Sequence, residues 1–292
     1  MYKPKNQTVW ASDIAEYLNA ELHGEDVLLQ GPRAVRTLDI HRVLQQESEE
    51  QLPWLLLTAT DLPVPAAERY VISTHPERDL ALVLQEFFAV PIAEGIHPTA
   101  SISQGALLGR NVCIGAYAII DSGVEIGDSV WVMNHAVIHG PARIGRGTVI
   151  KDGAVVGSEG YGFVVDESGK RVHVPQLGRV LIGEQVWIGS HTTIERGLLV
   201  DTMIEEGVKI DDFVHIGNGC HIGRNSLITA GCVLAYRVQL GENVTLAPNV
   251  SVRECCRIAS GVLVGQGGVV IQNIDVAGTY VGVPARELIM SK

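Results

Sequence analysis

The chain has 292 residues, with 22 Lys and Arg against 33 Asp and Glu, giving a formal net charge of −11 at pH 7. An acidic balance of this size argues against a nucleic-acid binder, whose surface is basic, and 46% hydrophobic against 19% charged residues excludes disorder. The 32 glycines set beside 5% aromatics favour a core of small and branched side chains with many turns.

Residues 1–95 read as a small α/β domain. The opening MYKPKNQTVW lacks the apolar segment of a secretory signal, and no stretch of about 18 uncharged apolar residues follows, so the expectation is a cytoplasmic chain without a transmembrane segment. Ser12, an N-cap residue type, precedes an amphipathic run of Ile14, Tyr17 and Leu18 that predicts a helix. Apolar runs at Trp54–Leu57 and Tyr70–Ile72 predict strands. Glu77–Phe88 places Leu80, Leu84, Phe87 and Phe88 on one helical face.

From Ile96 the chain becomes a repeat. Every sixth residue through Ile102, Leu108, Ile114 and Ile120 to Val156 is aliphatic, and the residue four places after each is small or branched, as at Ala100, Ala106 and Val112. The frame breaks over 157–181, returns at Ile182, Ile188 and Ile194, shifts again, and runs from Ile204 to Val270. A six-residue period cannot be an α-helix, whose faces recur at about 3.6 residues. It predicts a mainly β fold in which residues 96–275 form a parallel β-helix of about nine coils, each a triangle of three short strands. The loop 157–181 is an insertion that packs on a neighbour or shapes a site, and residues 276–292 are a short tail. Cys220, Cys232 and Cys256 fall on the small inward position and are expected to be buried and inert, whereas Cys113 and Cys255 should face outward. The five cysteines contain no CxxC pair and suggest no metal site.

Four segments carry a resemblance: Val156-Gly-Ser-Glu-Gly-Tyr-Gly-Phe163, Val174-Pro-Gln-Leu-Gly-Arg-Val180, Thr192-Thr-Ile-Glu-Arg-Gly197 and Lys209-Ile-Asp211. With the Ile96-His-Pro-Thr-Ala100 opening, they make the chain similar to the UDP-3-O-(3-hydroxyacyl)glucosamine N-acyltransferases of lipid A synthesis, from residue 8 to about 270. The resemblance implies a left-handed β-helix, a homotrimer, and a thioester co-substrate supplied by acyl-carrier protein or coenzyme A, with no permanently bound cofactor. It further implies an amino-sugar acceptor linked to a nucleotide, gripped by residues 1–95. Tyr161, Phe163, Gln176 and Arg179 of the matching segments become candidate substrate-binding residues.

The chain also departs from the family. The family's general base is a histidine in an Ile-Ala-His-Asn context; the matching stretch here is Val214-His-Ile-Gly-Asn-Gly-Cys-His221, which puts Asn218 at the base position. The family's acidic partner matches Asp211, and a second family histidine aligns with Cys255. The family's uracil pocket falls near Pro53–Asp61, where Trp54 is the ring available for stacking. The family's C-terminal helical extension, associated with docking acyl-carrier protein, has no counterpart before Lys292; the ending Gly282-Val-Pro-Ala-Arg286 and six more residues is similar to coenzyme-A-using acetyltransferases of the same fold.

N-acylation needs an amine freed of its proton, a thioester carbonyl beside it, and donors for the developing oxyanion. Asparagine cannot accept a proton at neutral pH, so His215 and His221, which flank Asn218, are the candidate bases. Asn218, Tyr236, Glu254 and Gln272 share one column of the repeat, which makes Glu254 an alternative base and Tyr236 a substrate contact. The resemblance implies a pantetheine groove that Gly265, Gln266, Gly267 and Gly268 would line, with Arg286 meeting a phosphate; turn glycines and a solvated arginine are the plain alternatives. Two other classes stay open: a non-catalytic β-helix scaffold, and a metal-dependent carbonic anhydrase drawing on His135, His139 and His173.

Overall fold

The computed structural model describes residues 2–4, 7–30, 32, 35–37, 55–58, 70–91 and 95–288. Two units divide the chain, Met1–Ala93 and Glu94–Lys292.

The first unit holds β1 (Tyr2–Pro4), β2 (Thr8–Trp10), α1 (Ala11–Tyr17), β3 (Leu22–His23), β4 (Leu28–Gln30), β5 (Val35–Thr37), β6 (Leu55–Thr58), β7 (Tyr70–Ile72), α2 (Pro76–Phe88) and β8 (Ala89–Pro91). A sheet ordered β3-β7-β6-β5 pairs β3 antiparallel to β7 and the others in parallel. Leu55 and Leu57 of β6, Ile14 of α1, and Val83 and Phe88 of α2 share its core, with Leu80, Leu84 and Phe87 packed against it. Both expected helices and both expected strands are present, with one correction. Ser12 lies inside α1 and does not cap it. The Trp10 N–H donates to Asp13 at 3.2 Å, while Ser12 donates through its N–H and hydroxyl to Asp26 at 2.9 and 2.8 Å. Trp54 lies outside the described residues.

The second unit is a parallel β-helix. Strands stack into three sheets of nine, eight and eleven members. We call these face one (Ile102, Ile120, Ile138 and onward), face two (Leu108, Ile126, Ile144 and onward) and face three (Ile96, Ile114, Val132 and onward). The aliphatic column points inward on every face and from Ile114 onward is buried, because alternate strand residues face opposite sides of the wall. Most coils repeat after 18 residues, so that Arg110 lies beside Asp128. Two places depart. The segment between Val156 and Val180 leaves the prism, so Ala142 pairs with Val180. The next coil is also long, pairing Thr193 with His215, 22 residues on.

Cys220, Cys232 and Cys256 are buried as expected, and burial pushes the Cys220 thiol up to about 12. Cys255 is exposed. Cys113 is not: it is 6% exposed, between Gly95 and Trp131 on the adjacent strands. The six-residue frame fixes which way a side chain points and leaves open what covers it.

The last coil is closed by irregular chain. Thr279–Val281 adds to face three and pairs antiparallel with Arg286–Glu287. Val269 of face one bonds through its N–H to Gly282 and through its carbonyl to Ala285, and Ile274 bridges Ile258 of face two.

Candidate functional site

At the corner between faces one and two, the strand His215–Ile216 turns through Gly217-Asn218-Gly219-Cys220 into His221–Ile222. Thr193 is the strand neighbour of His215, and its Oγ1 lies 2.9 Å from His215 Nδ1. Two residues past Thr193, a register shift between Val156 and Ser158 pairs Ser158 with Glu195. Such bulges re-aim a side chain, and Glu195 turns toward this corner. Its Oε2 accepts the Asn218 N–H at 3.1 Å, and its Oε1 lies 3.8 Å from His215 Nε2. The Glu195 side chain is only 15% exposed.

The insertion packs over the same carboxylate. A Cβ at Gly160 would overlap Glu195 Oε2, so the loop backbone passes where only glycine fits. Gln176 sits beside Gly160, 1% exposed, and neither its amide oxygen nor its nitrogen has a partner among the described residues. The loop is tied at both ends. Arg196 Nε donates to the Gly157 carbonyl at 2.6 Å. At the exit, Leu177 and Gly178 donate to Leu198 and Gly197, and Arg179 pairs with Asp201 at 2.8 Å. The hydrogen bond from Arg179 holds the Asp201 carboxyl below the usual range. Between these ties, Phe163–Val165 and Arg171–His173 form a hairpin, with Tyr161 85% exposed and edge-on to Phe163 at 5.1 Å.

Of the residues singled out in the sequence, the structure brings His215 and Asn218 together through Glu195, with Gln176 alongside. Tyr236 and Glu254 stack beyond Asn218 in the expected column: the Arg237 N–H donates to the Asn218 carbonyl, and that of Cys255 to Tyr236. The others lie apart. His221 is across the corner on face two, its Nε2 2.8 Å from Glu205 Oε1. Asp211 is at the corner between faces three and one, and no described residue bonds its carboxylate; its neighbour Asp212 takes Lys151 at 2.7 Å. Gly265, Gln266 and Gly267 form the turn after the face-three strand Leu263–Val264, and Arg286 belongs to the closing strand, its Nη1 donating to the Ala285 carbonyl. His135 stacks on Tyr117, His139 bonds Asp121 and His173 pairs with Glu159, so these three are separately engaged. Among the described residues no group of three His, Cys, Asp or Glu side chains could hold a metal ion.

Chemically, the corner offers an imidazole with one nitrogen anchored by a hydroxyl and the other turned toward a mostly buried carboxylate. Sequence reasoning passed over Glu195, although it lies inside the quoted Thr192–Gly197 segment.

Comparisons with known proteins agree with one another. Residues 123–158 and 201–235 match the family model for the bacterial transferase hexapeptide (six repeats). The chain is 32% identical to the UDP-3-O-acylglucosamine N-acyltransferase of Herminiimonas arsenicoxydans, over 92% of this chain and 86% of that one. It is 44% identical to the enzyme of that name from Methylobacillus flagellatus, over 65% of this chain and 54% of the relative. Among solved structures, LpxA from Acinetobacter baumannii superimposes with a TM-score of 0.60 at 26% identity, covering 66% of this chain and 73% of that one.

Proposed function

The chain belongs to the UDP-3-O-acylglucosamine N-acyltransferase family, and from that premise we propose that it moves an acyl group from a thioester to the amine of a UDP-linked amino sugar, with His215 as the base. It is an acyltransferase acting on an amino sugar, as its relatives are named. Acyl-carrier protein or coenzyme A is the thioester donor, and residues 1–95 grip the nucleotide.

The observation that carries this reading is the corner of Thr193, Glu195, His215 and Asn218. The family's base position holds Asn218, which positions but does not take a proton. His215 stands three residues away at the start of the same corner, its Nδ1 oriented by Thr193 and its Nε2 facing Glu195 Oε1 across 3.8 Å without a hydrogen bond. With the Nδ1 proton donated to Thr193 Oγ1, the Nε2 lone pair is free to accept a proton from the acceptor nitrogen. Asn218 Nδ2 then offers a neutral donor for the oxyanion that forms on the thioester carbonyl.

A homotrimer is supported by the outward columns. Faces one and three expose apolar residues such as Ile119, Val233, Trp187, Leu227 and Leu263, and face two exposes Leu107 and Met203 beside Glu125 and Arg143. Apolar exposure of this kind marks association surfaces, and light scattering on the purified chain tests it. No described helix is long and apolar enough to cross a membrane. The exposed thiol of Cys255 is in keeping with the reducing cytoplasm.

The deciding experiment incubates the purified chain with UDP-3-O-acylglucosamine and either acyl-carrier-protein or coenzyme-A thioester, with the diacylated product read by mass spectrometry. Product is expected from the wild type, and His215→Ala should lower turnover about 10²- to 10⁴-fold. Full turnover in His215→Ala would remove His215 from the base role.

A further inference from the structure

Several shielded or half-buried acidic side chains among the described residues sit beside cations. Asp79 is paired with Arg78, Asp201 with Arg179, Asp212 with Lys151, and Glu205 with Arg224 and His221. Glu195 is more shielded than Asp201, Asp212 or Glu205, yet among the described residues it has no Lys or Arg partner, and its nearest cationic group is the His215 imidazole. One oxygen is used by the Asn218 N–H, and the other faces His215 Nε2 across 3.8 Å. A shielded carboxylate without a counter-ion is costly, and a gap of 3.8 Å is too long for a hydrogen bond between the two groups. It is wide enough for a third nitrogen, at about 3 Å from each, to bridge them.

We propose that Glu195 Oε1 is the seat of the acceptor's ammonium group, and that this carboxylate selects an amine over a hydroxyl as the nucleophile. The inference rests on the reading of the chain as an acyltransferase acting on an amino sugar. The acceptor enters as R–NH3+, donating one hydrogen bond to Glu195 Oε1 and one to His215 Nε2. His215 takes the second of these protons, and the freed lone pair attacks the thioester carbonyl carbon. The C–N bond forms as the carbonyl π pair moves to oxygen. Collapse restores C=O and breaks C–S, and the departing thiolate takes a proton from the new amide nitrogen. His215 releases its proton to water, so ammonium and thioester give amide, thiol and one proton. A hydroxyl acceptor carries no charge and one proton, so it can neither neutralise Glu195 nor bridge the two groups.

The loop supports this assignment. Gly160 closes over Oε2, the oxygen already bonded to Asn218, and Oε1 is left as the free acceptor.

The test combines binding with turnover. Calorimetry of the wild type should show UDP-glucosamine binding about tenfold or more tightly than UDP-glucose, which carries an uncharged hydroxyl in place of the amine. Glu195→Gln should abolish that preference, and Glu195→Asp, which keeps the charge, should retain it. In the acyl-transfer assay Glu195→Gln should lose about 10²-fold in kcat/KM for the amine, with a melting temperature close to wild type. If Glu195→Gln keeps both the preference and the turnover of an active wild type, the ammonium seat is refuted and the acyltransferase reading stands. If the wild type transfers no acyl group but prefers the amine through Glu195, the seat stands and that reading falls.

Discussion

Thr193 Oγ1 lies 2.9 Å from His215 Nδ1 because the two residues are partners on adjacent parallel strands, so the prism itself orients the imidazole. Removing the hydroxyl in Thr193→Val leaves the ring free to turn, and turnover should fall about tenfold with a small change in stability. Thr193→Ser should restore most of it. Steady-state kinetics on the three proteins checks this; equal kcat in all would show that the hydroxyl does not set the ring.

His221 provides the contrast. It is held by Glu205 at 2.8 Å on the other side of the corner. His221→Ala should keep turnover within about threefold of wild type, and a half-exposed pair of this kind contributes about 0–1 kcal/mol to stability. A loss as large as that of His215→Ala would move the chemistry to face two.

Gly160→Ala places a methyl group on Glu195 Oε2. Either the loop lifts or the carboxylate turns away, so the substitution should lower kcat/KM for the amine and destabilise the fold by about 1–3 kcal/mol. Kinetics and thermal melting measure the two effects separately.

Acid sensitivity of the first unit should centre on Asp79. Burial opposes its ionisation, but hydrogen bonds from Ser73 at 2.5 Å and Arg78 at 2.7 Å outweigh burial and hold the carboxyl below the usual range. A depressed folded value means that the stabilisation is complete above the unfolded value of about 3.9 and is lost as the pH falls through the folded one. Ser73→Ala should therefore raise the midpoint of acid unfolding, as followed by circular dichroism. An unchanged midpoint would show that this network does not govern the acid limb.

Thiol chemistry should single out Cys255. It is exposed, while Cys113, Cys220, Cys232 and Cys256 are buried, with Cys220 pushed up to about 12. One equivalent of thiol should react rapidly with an aromatic disulfide reagent at pH 8, and the rest only after denaturation. Fast reaction of two or more thiols in the native protein would contradict the burial of the inward column.

The prism was legible because its cause is periodic: a buried aliphatic at every sixth position is the condition for closing the triangle, and Ile102, Ile120 and Ile138 satisfy it directly. The corner holding His215 was harder. Asp211 is close to His215 in sequence, yet a bend between faces three and one separates their strands. Glu195 is 23 residues from Asn218, and the 22-residue coil and the register shift at Ser158 put the two in contact where an 18-residue frame would not. Side-chain cover escaped the pattern for the same reason, since Cys113 points outward and is nonetheless buried.

The irregular closing segment has a consequence for assembly. A stack of parallel strands invites another stack to continue it, since an open edge is a template for polymerisation. Here Val269, Ile258 and Leu263, one from the last regular coil strand of each face, already hydrogen-bond or bridge to residues 274–285. The C-terminal end of the prism thus ends in short irregular strands rather than a bare row of parallel edges.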